Sequence, residues 1–214
     1  MTKKQRAAII VERLAEVYPD NLCSLDYQTD WQLLFAARLS AQCTDARVNI
    51  ITPMLFKLSL QDIADSDVET IEAIVKSCGF YRAKARDIVL CAQQLLAVHG
   101  GKVPQDMNKL LALPGVGRKT ANLLRGDLFG LPAIVADTHC IRISNRIGLT
   151  TSTNPAIVEA QLIKIVASAE QNDLCHRFVL FGRETCKAPK PRCELCPLQD
   201  VCKLCTVKRK VQSK

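Results

Sequence analysis

An all-α fold is predicted for this 214-residue chain by three features of its sequence. Apolar residues recur at helical spacing in one segment after another. Capping residues and glycines bracket those segments. No series of alternating β-branched runs separated by turns appears. Apolar residues make up 48% of the chain, enough for a sizeable core, and the length fits one or two domains.

The elements follow in order. Residues 4–17 carry a helical pattern, with Pro19 just beyond it. Asp30 is placed to cap WQLLFAARLSAQ, and Thr44 to cap the next segment, which Pro53 is expected to kink or interrupt. Asp67 starts VETIEAIVKSC, and Gly79 stands where that helix should end. Residues 81–98 form a longer amphipathic pattern stopped by Gly100 and Gly101. Further helices are predicted over 106–113, 119–129, 138–147, 155–167 and 169–183, with Asn154 and Pro155 as cap and first turn. The tail 203–214 holds five basic residues and no acids, and is expected to be disordered.

The formal charge of +8, from 29 Lys and Arg against 21 Asp and Glu, favours a polyanionic partner such as nucleic acid. No stretch approaches the roughly 18 uninterrupted apolar residues of a membrane helix. The N-terminal apolar run 7–11 is cut by Glu12 and Arg13 and leads to no cleavage site. A soluble, cytoplasmic protein is expected, nucleoid-associated if the source is prokaryotic.

Eleven cysteines divide into two sets. Cys23, Cys43, Cys78, Cys91, Cys140, Cys175 and Cys205 are scattered, most of them in apolar helical patterns, as small hydrophobes of a reducing compartment. The other four lie in CKAPKPRCELCPLQDVC, where six residues separate Cys186 from Cys193, two separate Cys193 from Cys196, and five separate Cys196 from Cys202. Four thiolates so close in sequence can converge on one centre. Zinc takes four thiolates tetrahedrally, often as two CxxC pairs. An iron–sulfur cluster is wider and suits uneven spacing. Spacing slightly favours the cluster and leaves zinc open.

LPGVGRKTANLL, residues 113–124, is a glycine-rich turn opening a helix. It lacks the third glycine of a dinucleotide fingerprint and the first glycine of a P-loop, so nucleotide binding is disfavoured. Gly115 and Gly117 can take positive φ and let the backbone approach a ligand closely. The N–H groups that open the following helix then suit a phosphate; the plain alternative is an ordinary helix–helix turn. Lys119 follows in the first helical turn, either as a solvated cation or phosphate contact, or as an amine nucleophile favoured by the helix N-terminus and partial burial. Asp137, in VADTHC, is the candidate partner, and is equally suited to cap the helix that begins near Thr138.

LPGVGRKTAN, VADTH eighteen residues after the lysine, the six-two-five cysteine spacing, SAQCTDARVN and GFYRAKA occur in the order seen in the endonuclease III family of DNA glycosylases, which the chain resembles from about residue 4 to 202. The resemblance implies a helix-hairpin-helix fold in two helical lobes. One, a six-helix barrel, would span 24–133. The other would combine 1–23 with 134–214 and hold one four-iron four-sulfur cluster on Cys186, Cys193, Cys196 and Cys202. Cys205 lies outside the family spacing and is not counted among the ligands.

The resemblance further implies a bifunctional glycosylase and abasic-site lyase of base excision repair, acting as a monomer on double-stranded DNA with damaged bases or abasic sites. Lys119 would attack the sugar of an oxidised pyrimidine, and Asp137 would stabilise positive charge on that sugar. Gly115, Gly117 and Arg118 would grip the backbone. Gln42 and Phe80 would fill the gap left by the flipped base, Phe80 being an aromatic where the family more often has an aliphatic wedge. Lys187, Lys190 and Arg192 would contact phosphates. LRGDLFG, residues 124–130, departs from the family's usual run and bears on lesion preference. Two alternatives are a monofunctional relative such as the adenine-specific mismatch glycosylase, which lacks the catalytic lysine, and a non-catalytic DNA-binding module. Lys119 argues against the first, and Lys119 together with Asp137 against the second.

Overall fold

The computed structural model describes residues 1–20 and 23–205, and the remainder of the basic tail lies outside them. Among the described residues the chain forms eleven α-helices and no strand. None of the helices is long and apolar enough to cross a membrane. The chain divides into two compact units, Cys23–Phe129 and Met1–Leu22 with Gly130–Lys214.

The first unit is built around helix α2 (Asp30–Leu39), in which Gln32, Leu33, Leu34, Phe35, Ala36, Ala37 and Leu39 are all buried. A helix apolar on nearly every side must be enclosed by others. Helices α3 (Asp45–Leu55), α6 (Tyr81–His99) and α8 (Arg118–Phe129) enclose it, while α4 (Leu60–Asp65) and α5 (Val68–Val75) pack on α6, and α7 (Met107–Leu111) on α8. The Trp31 ring meets Phe35 and Phe56 at centroid distances of 5.6 and 5.7 Å. Lys84 is buried, and its Nζ donates to Leu39 O at 2.8 Å, satisfying a carbonyl that the end of α2 would otherwise leave unpaired. Burial pulls the Lys84 pKa below the ordinary lysine range.

The second unit joins the two ends of the chain. Helix α1 (Lys3–Val17) packs on α11 (Gln171–Glu184), and α11 on α9 (Thr138–Ile147), with α10 (Pro155–Ile163) between α9 and α11 in sequence. Side chains of the first residues reach far along the sequence. Arg6 donates to Ile147 O at 3.2 Å, Arg13 to Pro197 O and Asp200 Oδ2 at 3.0 Å each, and the Tyr18 hydroxyl to Glu184 at 2.9 Å. Burial and Glu184 push Tyr18 up to about 12.

Several expectations are corrected. Thr29, not Asp30, precedes the first residue of α2; Asp30 sits inside the helix and accepts from Val103 N at 2.7 Å, a long-range tie that sequence pattern does not reveal. Pro53 does not interrupt α3: it lies near the C-terminal end, where the helix runs only two residues further. Helix α5 ends at Val75, short of Gly79, and α10 ends at Ile163. The short α4 has no counterpart in the predicted set, although Ser59 and Asp62 form a capping box around its first turn. Residues 203–205, expected to begin a disordered tail, are helical.

Candidate active site and cysteine centre

Backbone hydrogen bonds build the hairpin locally. Leu113 N donates to Leu110 O and Val116 N to Leu113 O, each at 3.1 Å, folding the chain back after α7. Gly115 takes φ +75. A Cβ there would stand 2.5 Å from Arg38 Nε and 2.8 Å from Asp87 Oδ2. Those atoms belong to an ion pair, Arg38 Nη2 to Asp87 Oδ2 at 2.6 Å, that links α2 to α6. Gly115 is therefore required by close packing on the protein's own ion pair. Gly117 corrects the expectation of positive φ: it stays outside the left-handed region, and a Cβ there would meet nothing within 4 Å.

Gly117 O accepts from Ala121 N at 2.9 Å, which starts α8. The N–H groups at the start of an α-helix have no partners within it. Arg118 and Lys119 sit in this first turn, and both are exposed. The expected partial burial of Lys119 is thus corrected, because a turn so close to its preceding glycines projects outward rather than into the core.

In the same unit, Gln42 and Phe80 are the non-glycine residues with positive φ among those described, at 53° and 56°. Such backbone costs of order 1–3 kcal/mol per residue and persists only where its surroundings hold it. Gly79 supplies the close approach: its Cβ position lies 3.4 Å from Gln42 O, so the two loops adjoin. The thiols of their neighbours Cys43 and Cys78 are hydrogen-bonded. Gln42 is exposed, and Phe80 is 68% exposed, a large apolar ring turned outward from a strained loop. The LRGDLFG departure brings Asp127 to the Cys23 thiol and near Tyr27; burial first and Asp127 second push Cys23 up to about 12.

In the other unit, Asp137 caps α9, its Oδ1 accepting from Cys140 N at 2.7 Å. Capping engages one carboxylate oxygen and leaves Oδ2 outside the cap. Beneath it the Cys140 and Cys175 thiols are hydrogen-bonded to each other, and Val135 N donates to Cys175 Sγ at 3.2 Å.

The cysteine segment follows α11 with little regular structure beyond a 3₁₀ turn at Cys193–Leu195. Two arginines of α9 hold its start. Arg142 Nη2 donates to Gly182 O at 3.2 Å and Cys186 O at 3.1 Å, and Arg146 Nη1 donates to Lys187 O at 2.8 Å. Sequence reading missed both, because α9 lies some forty residues before the cysteines and nothing local marks the contact. Cys186, Cys193, Cys196, Cys202 and also Cys205 line one cavity with Ile147 and Phe181. Among the described residues, no three such side chains close tightly enough to hold a single metal ion. Donors already face the sulfurs: Leu198 N to Cys196 Sγ at 3.4 Å and Arg146 Nη1 to Cys186 Sγ at 3.6 Å. Burial pushes Cys196 up to about 11, so a metal must displace thiol protons to bind. Lys187 is half-buried; Lys190 and Arg192 are exposed.

The family model described as HhH-GPD superfamily base excision DNA repair protein matches residues 35–168. The endonuclease III of Synechocystis sp. is 43% identical over 204 residues, covering 94% of this chain and 93% of its own. That of Escherichia coli strain K12 is 40% identical over 204 residues, covering 94% and 96%. The solved structure of a trapped endonuclease III–DNA covalent intermediate matches with a TM-score of 0.90 at 39% identity, over 98% of this chain and 100% of the other. A thermostable thymine-DNA glycosylase, 21% identical, shares the fold at a TM-score of 0.83 over 95% of this chain and 98% of its own.

Proposed function

The chain belongs to the endonuclease III family, within the HhH-GPD superfamily of base excision DNA repair proteins, and from that premise we propose that it excises oxidised pyrimidines from duplex DNA and cuts the strand 3′ to the abasic site through a Schiff base on Lys119. The observation that carries this reading is an exposed primary amine in the first turn of α8, two residues beyond a hairpin glycine whose surroundings are open. In this reading the protein works as a monomer on DNA in the cytoplasm.

A base inside a duplex is out of reach, so the nucleotide is flipped out at a cost of a few kcal/mol. Gln42 and Phe80 fill the vacated stack, their strained loops being the form of an apolar wedge with a polar neighbour. The backbone N–H groups after Gly117, with Arg118, hold a phosphate. Lys119 Nζ, as the free amine, attacks C1′ of the sugar. The glycosidic bond breaks and the base leaves with a proton. Ring opening gives the imine, loss of a C2′ proton breaks the C3′–O bond, and the 3′ phosphate departs with the downstream strand. Water then hydrolyses the imine and frees Lys119. Asp137, with Oδ2 available, stabilises positive charge on the sugar and assists the proton transfers.

The cavity of thiols and its N–H···S donors fit one four-iron four-sulfur cluster held by Cys186, Cys193, Cys196 and Cys202. When bound, that group cross-links the segment through four thiolates. The segment then presents Lys187, Lys190 and Arg192 to phosphates.

Borohydride reduction during incubation with duplex DNA carrying an abasic site or an oxidised pyrimidine tests the proposal. We expect a covalent protein–DNA adduct with the wild type and none with Lys119→Ala. A folded, DNA-binding wild type that never forms the adduct would leave the monofunctional or non-catalytic reading in its place.

A further inference from the structure

Resting on the cluster reading above, we propose that Cys205 is a spare ligand of the cysteine centre, able to take the coordination position of Cys202. Its spacing sets it apart from the four other cysteines, but its position in the fold does not. Cys205 is 5% exposed and lines the same cavity as Cys186, Cys193, Cys196 and Cys202. Its thiol lies within hydrogen-bonding reach of those of Cys193 and Cys202. Cys205 follows Cys202 by three residues, and residues 203–205 are helical.

A buried apolar position beside the cavity needs only an aliphatic side chain to fill it. A thiol adds something an aliphatic residue lacks, a second sulfur donor already next to an occupied one. Elsewhere in the chain, adjoining thiols pair with each other away from this cavity, Cys43 with Cys78 and Cys140 with Cys175. Cys205 differs from those pairs in that its partners are the cavity's own cysteines.

The exchange is a ligand substitution. The Cys205 Sγ–iron bond forms as the Cys202 Sγ–iron bond breaks, and the Cys205 proton passes to the departing Cys202 thiolate. No electron is transferred and no co-reactant is needed. Because Cys205 is tethered beside the centre, it recaptures a vertex faster than a free thiol from solution would.

Three variants test this by iron and acid-labile sulfide content and by the visible absorbance of the cluster. After anaerobic purification, Cys202→Ala should keep about half or more of the wild-type iron, whereas Cys202→Ala/Cys205→Ala should keep about a tenth or less, the tethered thiol making the difference. Cys205→Ala assembles the cluster on four cysteines but should bleach under ferricyanide about three-fold faster than the wild type. Equal bleaching of wild type and Cys205→Ala overturns the proposal, as does an equal loss of iron from the single and double Cys202 variants. Should Cys202→Ala fail to fold, the bleaching comparison decides alone. A wild type devoid of iron would instead overturn the cluster reading on which this inference rests.

Discussion

The hairpin and the cysteine segment are both short, irregular stretches between helices, yet different forces hold them. The hairpin is fixed by backbone bonds and by Gly115 lying directly on the Arg38–Asp87 pair. The segment after α11 also carries backbone bonds, Arg192 N to Thr185 O at 2.9 Å among them, but it leans further on side chains from elsewhere, Arg142 and Arg146 of α9 and Arg13 of α1. A backbone-built turn needs nothing beyond the folded chain. A loop that leans on side chains from other helices gains from a cross-link, which adds to what offsets the entropy of ordering it. On this contrast, the proposed chemistry lies in the self-supporting region and the proposed cluster in the one that leans on distant side chains.

The contrast can be broken first at Lys119. Lys119→Ala should lower abasic-site cleavage by about 10³-fold or more while DNA binding persists, because the nucleophile is removed and the hairpin is not. Retained cleavage would move the nucleophile elsewhere.

Two stability measurements come next. Gly115→Ala should cost about 1–3 kcal/mol in urea unfolding, since φ +75 is strained for alanine and its Cβ would meet Arg38. Gly117→Ala should cost less than about 1 kcal/mol, as a change of N-cap residue, while weakening DNA binding by filling the open space. Equal effects on stability would refute the separate roles. Arg146→Ala should destabilise the cysteine segment by about 1–3 kcal/mol, the range for a charge-assisted bond that leaves a carbonyl unpaired, and should speed iron release to a chelator.

Smaller effects sharpen the picture. Replacing Lys187, Lys190 and Arg192 together by alanine should flatten the log–log dependence of DNA affinity on salt by about 2–3, at about 0.9 per phosphate contact. At the pH extreme, Arg13 holds Asp200 below its ordinary value of 3.8, mainly through the side-chain hydrogen bond. An acid with a lowered pKa in the fold stabilises above its unfolded pKa, and that contribution fades as pH falls through the folded value. Wild type and Arg13→Ala should therefore differ slightly in urea midpoint at neutral pH and converge below 3.8. The pair is exposed, so salt should narrow the difference as well.

Legibility in the sequence followed the range of the interactions involved. Helix α9 was readable to the residue, and the Asp137 cap that opens it is a local signal. The cap at Thr44 and the stop at Gly100 were readable for the same reason. Thr29 displaced Asp30 because Asp30 is claimed by Val103, a partner 73 residues away. Pro53 and Gly79 show that a breaker residue does not by itself set a helix end: α3 runs past the one and α5 stops short of the other. At the site, residue types and order were visible, but their exposure was not. Residue order alone determined neither the exposure of Lys119 nor the φ of Gly117, whose surroundings are open. Arg142, Arg146 and the inward position of Cys205 carried no local signal, because only the fold brings α9 and residues 203–205 to the same cavity.

The most direct test maps the trapped adduct. After borohydride reduction with abasic-site duplex DNA and digestion of protein and DNA, mass spectrometry should find the reduced sugar remnant on Lys119 Nζ. A remnant on the N-terminal amine or on any other lysine, with Lys119 unmodified, would contradict the role proposed for the hairpin.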